Sequence, residues 1–291
     1  MKIIKVRNYN TAAPTDLFDS VRIKIRGNQT NLCVEAKQCA QLIKEARSIA
    51  VLTGAGISTA AGIPDFRGPQ GLYVTRRYDP EKVFDIDYFL RDPKPFFDFA
   101  RDFIGLEEKI KPTTAHRFLA NLETQGKMKG VITQNIDDLH QSAGSKNVLE
   151  LHGSFLKSFC WDCGQEFSFE QLRSKILSED VPKCSCQGVI KPDIVFFGEN
   201  VKCLDEAYQL AQEVDLFLVI GTSCVVYPAA SIPDAVSGKI VVVNGSPVHL
   251  NSSRARLPSG EERGGQVILS VQEDIDSFLG KVENCLKSPL P

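Results

Sequence analysis

The hydrophobic positions of the chain follow two alternating patterns. Short, nearly continuous apolar runs lie at 49–52, 130–133, 148–151, 216–220, 240–243 and 267–269. Segments with apolar residues at helical spacing lie at 34–47, 115–125, 204–213, 229–236 and 272–286. Continuous apolar runs are typical of parallel strands that are buried on both faces. Their alternation with helices predicts an α/β fold built on a doubly wound parallel sheet.

Two segments interrupt this alternation. Residues 72–114 are rich in Phe, Tyr and Pro and predict short helices broken by proline, and residues 157–190 contain a cysteine cluster. We expect these two insertions to pack together as a smaller domain. The whole predicted domain then spans 34–285: its sheet part is built from 34–71, 115–156 and 191–285, and its smaller part from the two insertions. An N-terminal extension (1–33), a surface loop (251–265) and a tail (286–291) complete the predicted organisation.

Composition narrows the class of protein. The 291 residues are 43% hydrophobic and 24% charged, which is typical of globular proteins and not of disordered, collagen-like or coiled-coil chains. The 34 basic and 36 acidic residues leave a formal charge of −2, so nothing indicates a general attraction to nucleic acid. No run reaches the ~18 apolar residues of a membrane helix, and residues 1–18 lack the apolar core of a signal peptide. We therefore expect a chain with reduced thiols that is cytoplasmic, with a nuclear or mitochondrial location as the alternatives.

A glycine-rich loop follows the first predicted strand. Gly54 and Gly56 come directly after the run 49–52, and glycines at this point let the backbone approach a pyrophosphate at a helix start. A tight strand–helix turn is the alternative. Gly62 completes a spacing that differs from G-x-G-x-x-G, and the acidic ribose ligand of dehydrogenases is absent. The following segment, 62–67, is stiffened by proline and could fold over a bound cofactor.

Four cysteines are placed as metal ligands would be. Cys160 and Cys163 form a C-x-x-C pair, and Cys184 and Cys186 form a tighter C-x-C pair after twenty intervening residues. Two such pairs favour one structural, tetrahedral Zn²⁺ over a redox-active dithiol, although the C-x-x-C pair alone would allow either. We expect the remaining five cysteines to lie in the core.

Polar residues follow two of the predicted strands. Asn135, Asp137 and His140 come after the run 130–133, and His152 comes after 148–151, where parallel sheets bind ligands. His152 is the candidate base because imidazole titrates near neutral pH. We expect His140 to have a packing or hydrogen-bonding role, and we expect the two other histidines, His116 and His249, to be structural or surface residues.

Several motifs in order carry a family resemblance. The segments are 54–67 with 71–73, 133–140, 151–153, the cysteine cluster, 191–199, 221–223 and 243–244. Together they resemble the sirtuins, which are NAD-dependent protein-lysine deacylases, over residues 36–285. The resemblance implies a Rossmann-like sheet with a smaller zinc-binding and helical domain formed by the two insertions. It also implies acyl-lysine proteins or peptides as substrates and NAD as cofactor.

The same resemblance implies roles for individual residues. His152 and Asn135 would be catalytic: the acyl oxygen attacks the nicotinamide ribose and nicotinamide leaves. His152 then deprotonates a ribose hydroxyl, which attacks the resulting imidate, and water releases lysine and O-acyl-ADP-ribose. The implied NAD-binding residues are Gly54, Ala55, Gly56, Ser58, Thr59, Ile63, Asp65, Phe66, Arg67, Gln134, Asn135, Ile136, Asp137, Gly221, Thr222, Ser223, Asn244, Gly245, Ser246 and, through a backbone contact only, Val271. The implied peptide-binding residues, which would use β-augmentation, are Val195, Phe196, Phe197, Gly198 and Glu199.

The acyl preference depends on one helix of the small domain. Desuccinylating sirtuins carry a Tyr and an Arg there, whereas this chain has Phe97 and Ala100 at the corresponding places and Arg101 one position further on. Arg101 should point elsewhere, about 100° around the helix, whereas Ala100 with Phe97 and Phe99 indicates an apolar channel. Such a channel predicts removal of acetyl and longer aliphatic groups, with succinyl and malonyl disfavoured. The alternative is that this helix only packs the small domain.

Other functions for the same pocket stay open. An NAD hydrolase or ADP-ribosyltransferase would share the glycine loop, Asn135 and Asp137 but would not need a peptide groove. A non-catalytic NAD sensor would not need His152 or Asn135, and a dehydrogenase would need the missing ribose-binding acid.

Overall fold

The computed structural model describes residues 29–65, 78–107, 110–248, 250, 255–256, 262–263 and 265–287. The predicted cofactor residues Phe66 and Arg67 lie outside these ranges, as do His249 and most of the predicted extension. The strands are β1 Ile49–Thr53, β2 Met128–Thr133, β3 Val148–Glu150, β4 Gly153–Cys160, β5 Glu166–Ser168, β6 Ile190–Ile194, β7 Leu216–Ile220, β8 Lys239–Asn244, β9 Ala255–Arg256, β10 Glu262–Arg263 and β11 Gln266–Gln272.

The described residues also form α-helices. They are α1 Gln29–Glu45, α2 Pro80–Val83, α3 Ile86–Arg91, α4 Lys94–Glu107, α5 Thr114–Thr124, α6 Leu139–Ser142, α7 Phe169–Ser178, α8 Leu204–Glu213 and α9 Ile275–Lys287. Two 3₁₀ helices, Ala55–Ala61 and Ala229–Ala235, complete the set within the described residues. The second occupies the place of the predicted helix 229–236. It contains Pro233, which has no N–H to donate.

The predicted parallel sheet is present. Its strand order is β11-β8-β7-β1-β2-β3, and every neighbouring pair is parallel. All residues of β1 and β7 are buried, because helices cover both faces. Ile49 and Val51 face a core with α1, α5 and α9, while Ala50 and Leu52 face a second core with α8 and the 3₁₀ helix 229–235. Alternating residues of one strand therefore stabilise both layers.

The two insertions pack on each other around an aromatic cluster. The strands β5-β4-β6 form a small antiparallel sheet, and α4 packs against α7. The cluster contains Phe89, Phe96 and Phe196, whose ring centroids lie 5.0–5.7 Å apart. The small sheet extends beyond the predicted insertion 157–190, because β4 begins at Gly153 and its partner β6 ends at Ile194.

The ends of the main domain also differ from the predicted boundaries. Helix α1 begins at Gln29, five residues before the predicted start, and α9 ends at Lys287, inside the predicted tail. The predicted loop 251–265 contains the antiparallel pair β9–β10, and its other residues up to 264 are outside the described part of the chain. No helix in the described ranges is long and apolar enough to cross a membrane.

Candidate active site

A cavity of about 1460 Å³ lies at the carboxyl ends of the parallel strands, where the small domain meets the sheet. In open α/β sheets this crevice is the usual ligand site. The cavity brings together 23 of the 26 residues assigned above to catalysis, NAD and peptide: those at 54–56, 58, 59, 63, 65, 134–137, 152, 195–199, 221–223 and 244–246. Segments separated by nearly two hundred residues therefore share one site.

The glycine loop packs tightly against the end of β7. The Gly56 N–H donates to the Gly221 carbonyl at 2.8 Å, and the Gly54 N–H donates to the Ile220 carbonyl at 3.2 Å. A Cβ at Gly56 would lie 2.8 Å from the Gly221 Cα, and Gly221 itself has a φ of +67°. Both glycines are thus required for the close approach of two backbone loops that line the cavity.

A buried network of polar side chains joins the glycine loop to the loop after β2. The Asn135 Nδ2 donates to the Gly54 carbonyl at 3.2 Å and to the Ser58 Oγ at 3.1 Å. The Ser58 hydroxyl donates to the Asp137 carboxylate at 2.6 Å, and the Leu139 N–H donates to its other oxygen at 3.1 Å. Burial raises the pKa of Asp137, and these hydrogen bonds oppose that rise.

His152 is held in one tautomer. Its Nδ1 lies 2.9 Å from the Gln134 carbonyl oxygen, and because a carbonyl can only accept, Nδ1 carries the proton. The Nε2 of the neutral ring is then unprotonated. Burial lowers the pKa of His152, and the hydrogen bond to Gln134 opposes this only in part. The His152 ring is therefore neutral at pH 7, which is the form that the predicted base would need.

The segment 195–199 forms one edge of the cavity. The Val195 N–H donates to the His152 carbonyl at 2.9 Å, the Phe197 N–H donates to the Phe84 carbonyl at 2.7 Å, and the Ile86 N–H donates to the Phe197 carbonyl at 3.1 Å. These bonds attach the segment to both domains. Its side chains differ in exposure, because Phe196 is buried in the aromatic cluster while half of Phe197 is exposed.

One predicted cofactor residue is absent from the cavity lining. Val271 is buried in the core that contains α1, α5 and α9. The cavity is lined instead by 273–275, which follow the end of β11. A strand end at this edge of the sheet is the signal that could have identified them. Val271, inside the strand, faces the neighbouring helices.

Of the three residues predicted to form an apolar acyl channel on α4, only Phe99 lines the cavity. Phe97 and Ala100 are fully buried in the small-domain core and do not line it. Phe103 lines it together with Phe99, because residues four apart share one face of a helix while Phe97 lies about 200° away from Phe99. Arg101 points away, as predicted: its Nη1 donates to the carbonyls of Ile176 and Glu179, at 3.2 and 3.0 Å.

Three further side chains complete the lining of this end of the cavity. Phe84 contributes its ring, and Asp102 follows Phe99 on the exposed side of α4. The Tyr78 hydroxyl donates a hydrogen bond to the Asp102 carboxylate. The channel is therefore apolar along its wall and carries a negative charge beside it. Phe84, Tyr78 and Asp102 were not predicted as site residues from the sequence, because they belong to no strand end or glycine motif.

The four clustered cysteines fit a zinc ion. Their sulfur atoms all lie within 4.8 Å of one another, and two pairs that join the two knuckles are Cys160–Cys186 at 3.4 Å and Cys163–Cys184 at 3.7 Å. A tetrahedral site with Zn–S bonds of ~2.3 Å requires sulfurs about 3.8 Å apart. All four thiols therefore face one common centre, which suits four-coordinate zinc.

The other cysteines fulfil the core prediction only in part. Cys39 and Cys224 are buried, and burial raises their thiol pKa values to about 12 and about 11. Cys203 is exposed at the start of α8, and Cys285 is half-buried on α9. The prediction was wrong for these two because a lone cysteine carries no periodic signal of its orientation.

A doubly wound sheet, a ligand cavity at its carboxyl edge and a four-cysteine satellite domain define a nucleotide-binding α/β protein with a zinc-binding small domain. A sequence profile described as the Sir2 family matches residues 54–228. The chain belongs to this family.

Similar proteins support this assignment. An NAD-dependent protein deacetylase of Thermotoga maritima is 46% identical over 217 residues, which cover 72% of this chain and 87% of that protein. An NAD-dependent protein deacylase 2 of Archaeoglobus fulgidus is 41% identical over 222 residues, 73% and 86% of the two chains.

Solved structures show the same fold. The structure described as Sir2-p53 peptide-NAD+ has a TM-score of 0.74 at 40% identity and covers 85% of this chain and 97% of its own. Sir2Tm bound to a propionylated peptide also has a TM-score of 0.74, at 38% identity, and covers 87% of this chain and 100% of its own.

Proposed function

We propose that this chain is an NAD-dependent protein-lysine deacylase that acts mainly as a deacetylase. The observation that carries the proposal is the single cavity that contains a neutral His152, the Asn135–Ser58–Asp137 network and the peptide edge 195–199. Relatives with this activity, and the solved structures that hold NAD+ or acylated peptides, support it.

NAD would lie across the carboxyl edge of the sheet. The residues that would hold it are those of the glycine loop (54–59), Ile63 and Asp65, the loop 134–137, and the strand ends 221–223 and 244–246. Bound NAD would supply an electrophilic ribose carbon that accepts the acyl oxygen as nicotinamide leaves. The Asp137 carboxylate is suited to accept the amide N–H of nicotinamide, and Asn135 is suited to orient the ribose and a water molecule.

His152 would remove a proton from a ribose hydroxyl. The Gln134 carbonyl holds the proton on Nδ1, so the free lone pair is on Nε2. Burial keeps the ring neutral at working pH, because it lowers the pKa of His152. The base is thus in its active protonation state before substrate binds.

The acyl peptide would bind as an added strand along 195–199. Within the described residues, the Val195 carbonyl and the Gly198 N–H take part in no hydrogen bond, and both residues line the cavity. Free backbone groups of this kind bind an extended peptide with little sequence preference. Phe99, Phe103 and Phe84 would enclose an aliphatic acyl group, while Asp102 would repel an acidic one.

The cysteine quartet would hold one structural zinc. Four thiolates leave no coordination position for a catalytic water, so the metal's role would be to hold the small domain together.

The proposed activity can be tested by product analysis. The chain is incubated with NAD and an acetyl-lysine peptide, and products are identified by mass spectrometry. We expect deacetylated peptide, nicotinamide and O-acetyl-ADP-ribose in equal amounts. His152→Ala should bind NAD but abolish turnover, since it removes the only proposed base. Free ADP-ribose without peptide turnover would indicate a hydrolase, and ADP-ribosylated protein would indicate a transferase; either result would overturn the proposal.

A further inference from the structure

Lys191 is a charged side chain in an apolar core. It lies in β6 and is 1% exposed. Its ammonium donates to the Ile194 carbonyl at 2.6 Å and to the Glu199 carboxylate at 2.8 Å, and it lies 4.3 Å from the centre of the Phe196 ring. A buried charge is costly unless it is paired and hydrogen-bonded, and here both hydrogen-bond acceptors come from the short segment 194–199.

Glu199 closes the same segment from its other end. The carboxylate oxygen that binds Lys191 also accepts the Phe196 N–H at 2.8 Å, and the Glu199 N–H donates to the Phe196 carbonyl at 3.0 Å. Gly198 has a φ of +96°, which allows the tight turn between them. The two members of the ion pair therefore bind the backbone of the segment at 194 and at 196. In this way the ion pair determines the shape of the turn 194–199.

The turn presents the groups that a peptide strand would bind. With Phe196 and Glu199 bonded inward, the Gly198 N–H is the backbone donor left for a ligand among the described residues 195–199. The acceptors left are the carbonyls of Val195, Gly198 and Glu199. Apolar side chains of similar volume could fill the space of the ion pair. They would not bind the backbone at two points, so the turn would become mobile.

We propose that Lys191 and Glu199 are positioning residues for the acyl peptide: the ion pair between the buried Lys191 and the partly exposed Glu199 holds the turn 194–199 in the form that binds the peptide backbone. This inference rests on the proposed function. It also changes the expected role of Glu199. Its carboxylate binds Lys191 and the Phe196 N–H, so we expect the backbone of the segment, and not the Glu199 side chain, to bind the peptide.

The test separates peptide binding from NAD binding. Lys191→Met keeps the length of the side chain and removes the ammonium. Because charge-assisted hydrogen bonds are lost from the turn, we expect KM for an acetyl peptide to rise about tenfold or more. KM for NAD should stay within twofold of wild type, because the NAD contacts lie on the sheet. Glu199→Gln keeps an oxygen that can accept from Lys191 or from the Phe196 N–H, and it should show a smaller rise.

A double variant and a matched control complete the experiment. Lys191→Met/Glu199→Gln leaves no unpaired buried charge, and its KM for the peptide should resemble that of Lys191→Met alone. If Lys191→Met does not fold, as thermal unfolding will show, the double variant is measured in its place. Lys202→Met removes a nearby lysine whose ion pair with Asp193 is partly exposed, and it should leave both KM values unchanged.

The possible outcomes are distinguishable. If the wild type does not deacetylate the peptide with NAD, the proposed function fails. If the wild type is active but the variants raise both KM values equally, or change only thermal stability, Lys191 and Glu199 are merely structural and the inference is overturned.

Discussion

Lowering the pH from 7 to 5 should destabilise this protein through two buried histidines. His116 and His140 are almost completely buried, and their ring centroids lie 4.7 Å apart. The Thr113 N–H donates to the His116 Nδ1 at 3.2 Å, and the His140 Nε2 lies 2.9 Å from the Thr53 hydroxyl. The remaining nitrogen of each ring is buried and has no partner among the described residues.

Both rings are neutral in the folded protein. Burial, helped by Arg117, lowers the pKa of His116 to about 4. Burial, helped by His116, lowers the pKa of His140 to about 3. The unfolded chain takes up a proton on each ring near pH 6.5, so it binds more protons than the folded chain below that pH. The contribution is therefore complete above pH 6.5 and is lost as the pH falls through 6.5 toward about 4 for His116 and about 3 for His140.

The expected loss follows from the pKa difference. Between pH 6.5 and 5, each histidine costs about 1.36 kcal/mol per pH unit, which is about 2 kcal/mol per ring and about 4 kcal/mol for the pair. Such a loss is a large fraction of the stability of a typical domain, which is about 5–15 kcal/mol.

Urea unfolding at pH 7 and pH 5 measures this loss. His116→Asn retains an acceptor near Nδ1, and His140→Gln retains a polar group near Nε2. Each variant should be less stable at pH 7, but its loss between pH 7 and 5 should be about 2 kcal/mol smaller than that of wild type. Acidic groups such as Asp98 and Asp215 are present in every variant, so their titration cancels in the comparison. An unchanged pH dependence in both variants would refute the assignment of neutral buried rings.

Three further predictions concern the zinc site, the close contact between the start of β4 and β6, and the acyl group. Purified protein should contain about one zinc per chain by atomic absorption, and Cys186→Ser should lose the metal and unfold the small domain at lower temperature. Gly153→Ala should cost about 2–5 kcal/mol in chemical unfolding, because Gly153 has a φ of +69° and its Cβ would lie 1.8 Å from the Asp193 carbonyl oxygen. Gly144→Ala, with a φ of +105° but nothing within 4 Å, should cost only about 1–2 kcal/mol. A succinyl peptide should show at least about tenfold lower kcat/KM than a butyryl peptide, and Asp102→Asn should narrow the gap; equal turnover of both acyl groups would contradict the predicted channel.

The local pattern of apolar residues predicted the strands and helices that bury their apolar faces in the core. The apolar runs at 49–52 and 216–220 correspond to β1 and β7, and the helical spacing at 204–213 coincides with α8. These segments bury the faces that their own periodicity specifies, so neighbouring residues contain the necessary information. The cysteine quartet and His152 were also found from sequence, because their chemistry requires particular residue types at short spacing or at a strand end.

Tertiary structure decided the features that depend on distant partners. The tautomer of His152 depends on the Gln134 carbonyl, and the charge of Lys191 depends on hydrogen-bond partners at Ile194 and Glu199. Phe99 and Phe103 line the cavity and Phe97 does not, because the orientation of α4 is set by the aromatic cluster around it. Burial, tautomer and side-chain direction at these positions arise from contacts between segments far apart in the chain, which no local spacing encodes.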